Sequence, residues 1–263
     1  MPCSTVGTAF DPSTEHTYHR IHYLGPINPG AIRPTHQNNP THEGRHRSTS
    51  LEAMDEPAST PPQTMHWSDT DLEVHKVVVG PVDNNVFVIR CRHTGEAVLL
   101  DAANEHEMLL DLCRGLGVRT VLETHGHWDH IQAVPEVRNA GYEVGVTAAD
   151  AAMLPSYDYL LEDDSIIEVG RSRLHTITTP GHTPGSICFK VVDKPLLFSG
   201  DTLFPGGPGA TGYEGGDFAA IIESIDSRLF TLPPATVVLP GHGDDTTIGT
   251  ERPHLQEWVD RGW

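Results

Sequence analysis

Positive charge is scarce in this sequence. Lys and Arg number 17 against 36 Asp and Glu in 263 residues, a formal net charge of −19. Such a field repels phosphate backbones and excludes non-specific nucleic-acid binding. Long apolar runs are missing too: none approaches the roughly 18–20 residues that a membrane span needs. Cysteine occurs only at positions 3, 91, 113 and 188, without paired spacing, so neither a disulfide framework nor a CxxC zinc site is indicated. The opening MPCSTVGTAFDPSTEHTYHR has neither the basic start nor the apolar stretch of a secretory signal, and a cytoplasmic protein is expected. Aromatics make up 6% and apolar residues 37%. The latter is below the usual share of about 45–50%, which suggests that part of the chain stays outside the folded core.

That part is the N-terminal quarter. Residues 1–64 hold 9 of the 21 prolines and six histidines, show no helical or strand periodicity, and close on the linker-like ASTPPQT. The segment is expected to be a disordered tail, because it cannot bury enough apolar surface to offset the entropy of ordering it. His16, His19 and His22 have a metal-like spacing, but nothing nearby would hold the rings in place. Met54 and Met65 are alternative starts, and deleting the tail is expected to leave metal content and activity unchanged. The remaining 199 residues carry 13 basic and 30 acidic side chains, so the acidity belongs to the folded domain, 65–263.

There, short β-rich runs alternate with helical patterns. Val86–Ile89 and Ala97–Leu100 read as a hairpin about His93-Thr94-Gly95. Asn104 is expected to cap a helix running to Leu116, with Gly117 as its stop. Val118–Glu123 reads as a strand, followed by a helix from about Ile131 to Ala140. Further strands are expected at Tyr142–Val146, Ile166–Val169, Ser172–Thr178, Ser186–Val192, Leu196–Phe198 and Val237–Leu239. Helices are expected at Phe218–Leu229 and Glu251–Val259. Two groups of strands, each followed by helical stretches, fit a sheet-on-sheet core with helices outside.

The strongest signal is His125-Gly-His127-Trp-Asp129-His130, placed between a buried strand and a helix, where a loop rests on rigid support. Two imidazoles one residue apart can address a single ion from a tight turn. Three more candidate ligands sit in glycine-containing turns after strands: His182 in TPGHTPG, Asp201 in SGDT and His242 in PGHG. Glycine beside each permits close approach to a shared centre. Five His and two Asp exceed one tetrahedral zinc and suit two ions sharing a carboxylate. Two cations would bring a shared water to hydroxide near neutral pH and stabilise the oxyanion formed by its attack on a carbonyl.

HGHWDH, TPGHTPGS, SGDTLF and PGHGDDTTIG resemble the metal-binding motifs of the metallo-β-lactamase fold hydrolases, most of all their glyoxalase II-like (hydroxyacylglutathione hydrolase-like) branch. The resemblance runs from about Val77 to Pro253. It implies an α/β fold, the four-layer αβ/βα sandwich, with metals at one edge of the sheets. Carried over by position, it implies a first ion, zinc by preference and iron or manganese otherwise, on His125, His127 and His182. A second ion falls to Asp129, His130 and His242, with Asp201 bridging and Asp129 also orienting the nucleophile. The implied reaction is hydrolysis of a small-molecule thioester by a metal-bridging hydroxide.

The commoner β-lactamases place a Cys at the second metal. The nearest here, Cys188, lies in an apolar strand and reads as core, which argues against β-lactam hydrolysis. Asp101 reads either as an acceptor for a ligand ring proton or as a strand-end turn residue. The family's glutathione-binding helical segment lies beyond the GHG region, whereas 21 residues follow His242 here. Together with the acidity, this points to another low-molecular-weight thiol, neutral or sugar-bearing, unless Arg171, Arg173 or Arg252 forms a local basic patch. Tyr213, in the loop after Asp201, and Tyr157 are candidate substrate contacts. The competing readings are a mononuclear-iron persulfide dioxygenase, a lactonase or other ester hydrolase, and a non-catalytic module that keeps metals for folding. Oligomeric state is left open; neither nucleic acid nor membrane is expected as a partner.

Overall fold

The computed structural model describes residues 64–262, so the expected tail lies outside the described residues except for Thr64. That residue belongs to the fold, its carbonyl accepting from Lys76 N at 2.8 Å. The first sheet has seven strands: β1 (Met65–Ser68), β2 (Leu72–Val79), β3 (Asn84–Cys91), β4 (Ala97–Leu100), β5 (Val118–Leu122), β6 (Glu143–Thr147) and β7 (Tyr159–Leu161), adjacent in that order. Pairing is antiparallel from β1 to β4 and parallel from β4 to β7. Helices α1 (His106–Leu116), α2 (Trp128–Ile131) and α3 (Val134–Asn139) lie in the crossovers between parallel strands.

The second sheet contains β8 (Ile166–Val169), β9 (Ser172–Thr178), β10 (Ile187–Val191) and β11 (Leu196–Gly200). A two-stranded ribbon follows, β12 (Leu203–Phe204) and β13 (Gly207–Pro208). Next come α4 (Phe218–Ser224), a π-helical turn (Ile225–Leu229), β14 (Val237–Pro240) and β15 (Thr246–Thr247). The sheet order is β15-β14-β11-β10-β9-β8, with β11 and β14 parallel. The chain then closes through α5 (Ile248–Glu251), a 3-10 turn and α6 (Leu255–Arg261).

Strand alternation builds the layers. Phe87, Ile89, Val98 and Leu100 of the first sheet meet Ile187, Phe189, Leu196 and Phe198 of the second in one buried core. The residues between them point the other way. Val86, Val88 and Leu99 face α1 and α3 with Leu109 and Val137, while Cys188, Leu197 and Val238 face α4 to α6 with Ile221 and Trp258. The result is the expected four-layer sandwich of helix, sheet, sheet and helix.

Several helix boundaries differ from the sequence expectation. The helix expected over 131–140 is interrupted: Gln132 N and Ala133 N donate to Ala103 O and Ala102 O, and Pro135 takes an early position of α3, where its missing N–H costs nothing. Asn104 does not cap α1. The cap position is Glu105, in the left-handed region at φ 51, and Asn104 Oδ1 accepts from Glu105 N instead. The expected 218–229 helix turns π-helical after Ser224, and the closing helix divides at the 3-10 turn Arg252–His254. Strand β2 escaped the sequence reading, although Leu72 and Val74 alternate with Glu73 and His75 at its start.

Candidate metal centre

All seven candidate ligands lie where strands of both sheets end. Beyond β5, Thr124 N and Oγ1 donate to the two oxygens of Asp101 at 2.6 and 2.8 Å, fixing the start of the HGHWDH loop. Gly126 follows because a Cβ there would stand 2.6 Å from Met153 Cβ. Helix α2 then carries Asp129 and His130 back toward the sheet edge. His182 comes from the β9–β10 turn, Asp201 from the end of β11 and His242 from the end of β14. Strand β3 binds this last turn from the other sheet: Asn85 N donates to Gly241 O at 2.7 Å, and Asn85 Nδ2 donates to Pro240 O and Gly243 O, both at 2.9 Å.

The donors form three overlapping groups: His125, His127 and His182; His125, His130 and Asp201; and Asp129, His130 and His242. Within each group the ligand atoms lie within 4.8 Å of one another. Most imidazoles are oriented from behind. His182 Nδ1 donates to Ala210 O at 2.7 Å and His242 Nδ1 to Val82 O at 3.0 Å. His130 Nδ1 meets Asp101 Oδ2 at 2.8 Å, and His125 Nδ1 meets Thr124 Oγ1 at 3.0 Å. This leaves the Nε2 atoms facing inward. His127 presents Nδ1, which lies 2.9 Å from His182 Nε2. Rings held through one nitrogen with the other aimed at a shared point are the arrangement of metal-ligating histidine.

Two unpartnered atoms test the fit. His125 Nε2 and Asp201 Oδ1 are buried without a hydrogen bond, although a buried polar atom without a partner is costly; a cation satisfies both. Protonation agrees. Burial and then the neighbouring imidazoles push His125 well below its ordinary value, so it is a neutral donor. Burial raises the Asp201 carboxyl, but facing His130, His182 and His242 hold it below the carboxylate range. Asp129 is likewise held low against its burial, by His242, His130 and Asn84. The residues fit two divalent cations.

The centre opens into a cavity of about 600 Å³, whose further walls are Val82, Trp128, Met153, Phe204, Tyr213 and Glu214. Residues 79–242 match the Metallo-beta-lactamase superfamily. The chain belongs to that superfamily. The probable metallo-hydrolase YqgX of Bacillus subtilis (strain 168) is 34% identical over 203 residues, 69% of this chain and 95% of that protein. Hydroxyacylglutathione hydrolase of Rhodospirillum rubrum is 34% identical over 174 residues, 65% of this chain and 66% of that enzyme. The crystal structure of BLEG-1 B3 metallo-β-lactamase is similar with a TM-score of 0.63 at 30% identity, covering 69% of this chain and 97% of that one. Superfamily members are generally metal-dependent hydrolases with a dinuclear site, and the donor groups here are of that kind.

Of the candidate substrate contacts, Tyr213 lines the cavity, its ring 5.8 Å from that of His127. Tyr157 is not among the residues lining it. Arg171 and Arg173 line a separate cavity with Asp71, His93 and Lys194, at the end of β9 remote from His182, and Arg252 donates to Leu232 O. None of the three makes a basic patch at the centre. Cys188 faces the helical layer, its thiol pushed up to about 11 by burial. Sequence reasoning missed Asn84, whose Nδ2 donates to Asp129 Oδ2 at 2.9 Å. It also missed Asp150, fully buried, which accepts from Gly126 N, Thr183 Oγ1 and Gly185 N at 2.9, 2.6 and 2.7 Å. A fully buried carboxylate so near the motif, in TAADAAML, had no sequence signal to distinguish it from a solvated turn residue.

Proposed function

We propose that this chain is a binuclear zinc hydrolase of a small-molecule thioester, acting in the cytoplasm. The observation that carries the reading is Asp201. Its Oδ1 faces His130 Nε2 at 3.5 Å, while its Oδ2 faces His182 Nε2 and His242 Nε2, each at 3.5 Å. One anion presented to both donor sets is suited to serve two cations. His125, His127 and His182 would hold one ion and Asp129, His130 and His242 the other. Nitrogen and oxygen donors of this kind suit zinc, and also iron or manganese.

A metal pair there supplies a hydroxide nucleophile at neutral pH and polarises the carbonyl. The chain's own groups do the positioning. Asn84 steadies Asp129, which also orients the nucleophile, and the carbonyls of Val82 and Ala210 hold two rings in place. Outside the donor set, Glu214 is the sole carboxyl lining the cavity among the described residues. A leaving group that departs as a stable thiolate needs no strong proton donor, which favours a thioester over an amine-releasing substrate.

The test combines elemental analysis with turnover of S-lactoyl and S-formyl thiol conjugates, a lactone and a β-lactam, and with oxygen uptake on a low-molecular-weight thiol persulfide. The expected result is about two zinc ions per chain, thioester cleavage without oxygen consumption, and about one ion retained in His242→Ala. A single iron with oxygen consumption would instead establish the persulfide dioxygenase reading. The likeness to a B3 metallo-β-lactamase favours the β-lactam arm as the second reading, and dominant turnover there would replace the thioester.

A further inference from the structure

The rim of the cavity carries charge and aromatic surface in an arrangement the reaction itself does not require. Trp128, at the start of α2, is 58% exposed, and Tyr213 is 66% exposed. Both line the cavity, and so does the carboxylate of Glu214, next in sequence to Tyr213. Two large aromatic side chains exposed on the wall of one cavity offer flat π surface to a bound molecule. Among the described residues lining the cavity none is Lys or Arg. The basic side chains Arg171, Arg173 and Lys194 line the other cavity instead, where they share its walls with Asp71 and Asp193.

We infer that Trp128, Tyr213 and Glu214 form a recognition site for an ammonium-bearing group on the thiol side of the substrate, one that discriminates against a carboxylate-bearing thiol. The inference rests on the thioester reading for the identity of the bound molecule. Indole and phenol faces attract a cation through their quadrupoles, most strongly for a desolvated quaternary ammonium, and Glu214 supplies the full negative charge. The inner end of the cavity has the opposite character. Two divalent ions against the carboxylates of Asp129 and Asp201 leave net positive charge where the carbonyl oxygen gains negative charge. A substrate with its carbonyl toward the centre and a cation toward the rim is thus aligned by both ends. An anionic thiol arm would instead meet Glu214 with no Lys or Arg among the described residues lining the cavity.

Three thioacetates separate charge from shape: acetylthiocholine, its uncharged isostere S-(3,3-dimethylbutyl) thioacetate, and S-acetyl-3-mercaptopropionate. Released thiol is measured with the zinc-loaded enzyme. The expected kcat/KM for acetylthiocholine exceeds that for the propionate at least tenfold, mainly through KM, and the ratio narrows as salt screens the exposed charge. In Glu214→Lys the ratio falls below one. Equal turnover of the two charged esters by the wild type, or a ratio unmoved by Glu214→Lys, overturns the inference. Choline binding is read separately, from quenching of tryptophan fluorescence, and needs no turnover. Saturable quenching that is lost in Trp128→Phe, with none of the three esters cleaved, would sink the thioester reading and leave the ammonium site standing. Thioester cleavage without charge preference or choline quenching would sink the ammonium site alone.

Discussion

Asp101 Oδ2 lies 2.8 Å from His130 Nδ1, and both side chains are closed to solvent. The same carboxylate accepts from Thr124 N and Oγ1, so it fixes the ring of one candidate ligand and the backbone leading to another. Its own backbone sits in the left-handed region at φ 62, a conformation uncommon outside glycine but one that Asp tolerates better than most residues. Both sequence readings describe Asp101, which faces the His130 ring and also turns the chain at the end of β4.

Replacing Asp101 by Asn keeps the shape and removes the charge behind His130. Metal affinity should fall about 10- to 100-fold, with circular dichroism unchanged. A competition titration against a chromophoric chelator measures this, and unaltered affinity would show that the contact does not tune the centre.

Asp150 ties the loop of His125 and His127 to the loop of His182 through Gly126, Thr183 and Gly185. Asp150→Ala strands three donors, each costing about 1–3 kcal/mol when left unsatisfied and buried. The melting temperature should drop by many degrees. On the proposed two-ion centre, an ion on His125, His127 and His182 would loosen before one on Asp129, His130 and His242. Asp150→Asn should restore part of both losses, and full stability in the alanine variant would remove Asp150 from the support of the centre.

Gly241 is a steric test of the site. A Cβ there would stand 2.3 Å from Asp201 Oδ1 and 2.8 Å from His130 Cε1. Gly241→Ala should therefore abolish tight binding of the second ion. Gly115, inside α1, has open space around its missing Cβ, so Gly115→Ala should stabilise by about 0.5–1 kcal/mol with metal content intact. Metal analysis and thermal melts on the pair separate damage at the centre from damage to the fold.

Acid sensitivity has a contribution remote from the candidate metal centre. Lys194, and after it His93, hold the Asp71 carboxyl down from 3.8 to about 2. A carboxyl lowered in the folded state adds stability that is present above its unfolded value and is lost as pH falls through the folded one. The window is pH 4 down to 2. Replacing Lys194 by Met should make the melting temperature fall less steeply across it than in the wild type, compared without metal in both proteins so that metal release does not enter and the titration of Asp129 and Asp201 is common to both. Parallel slopes would contradict the assignment.

The centre was legible in the sequence because its chemistry is carried by residue types in short motifs. HGHWDH, the glycine-flanked His182 and His242, and Asp201 each declare themselves locally, and the fold brings them together. Tyr213 was legible by following Asp201 in one loop. Asn84 and Asn85 were not, because their roles depend on partners 45 positions away at Asp129 and 158 away at Gly243. Layering followed from strand alternation, whereas the interrupted helix at 131–140 depends on carbonyls of Ala102 and Ala103 that no local pattern announces. Tyr157 had only its residue type to recommend it.

The loop between β13 and α4 holds two duties side by side. Ala210 lends its carbonyl to His182, and at Gly209 a Cβ would lie 1.9 Å from Asp201 O. Three and four residues beyond Ala210, Tyr213 and Glu214 line the cavity. A lineage could exchange the outer residues for others and acquire a new diet of substrates in a few mutational steps, provided the inner ones were inherited unchanged. Diversification of the enzyme would then be concentrated in residues 211–214, ahead of Gly215 at φ 85 and of Gly216, where a Cβ would stand 2.3 Å from Thr211 O. Library selection confined to that stretch would change preference without first having to rebuild the catalyst.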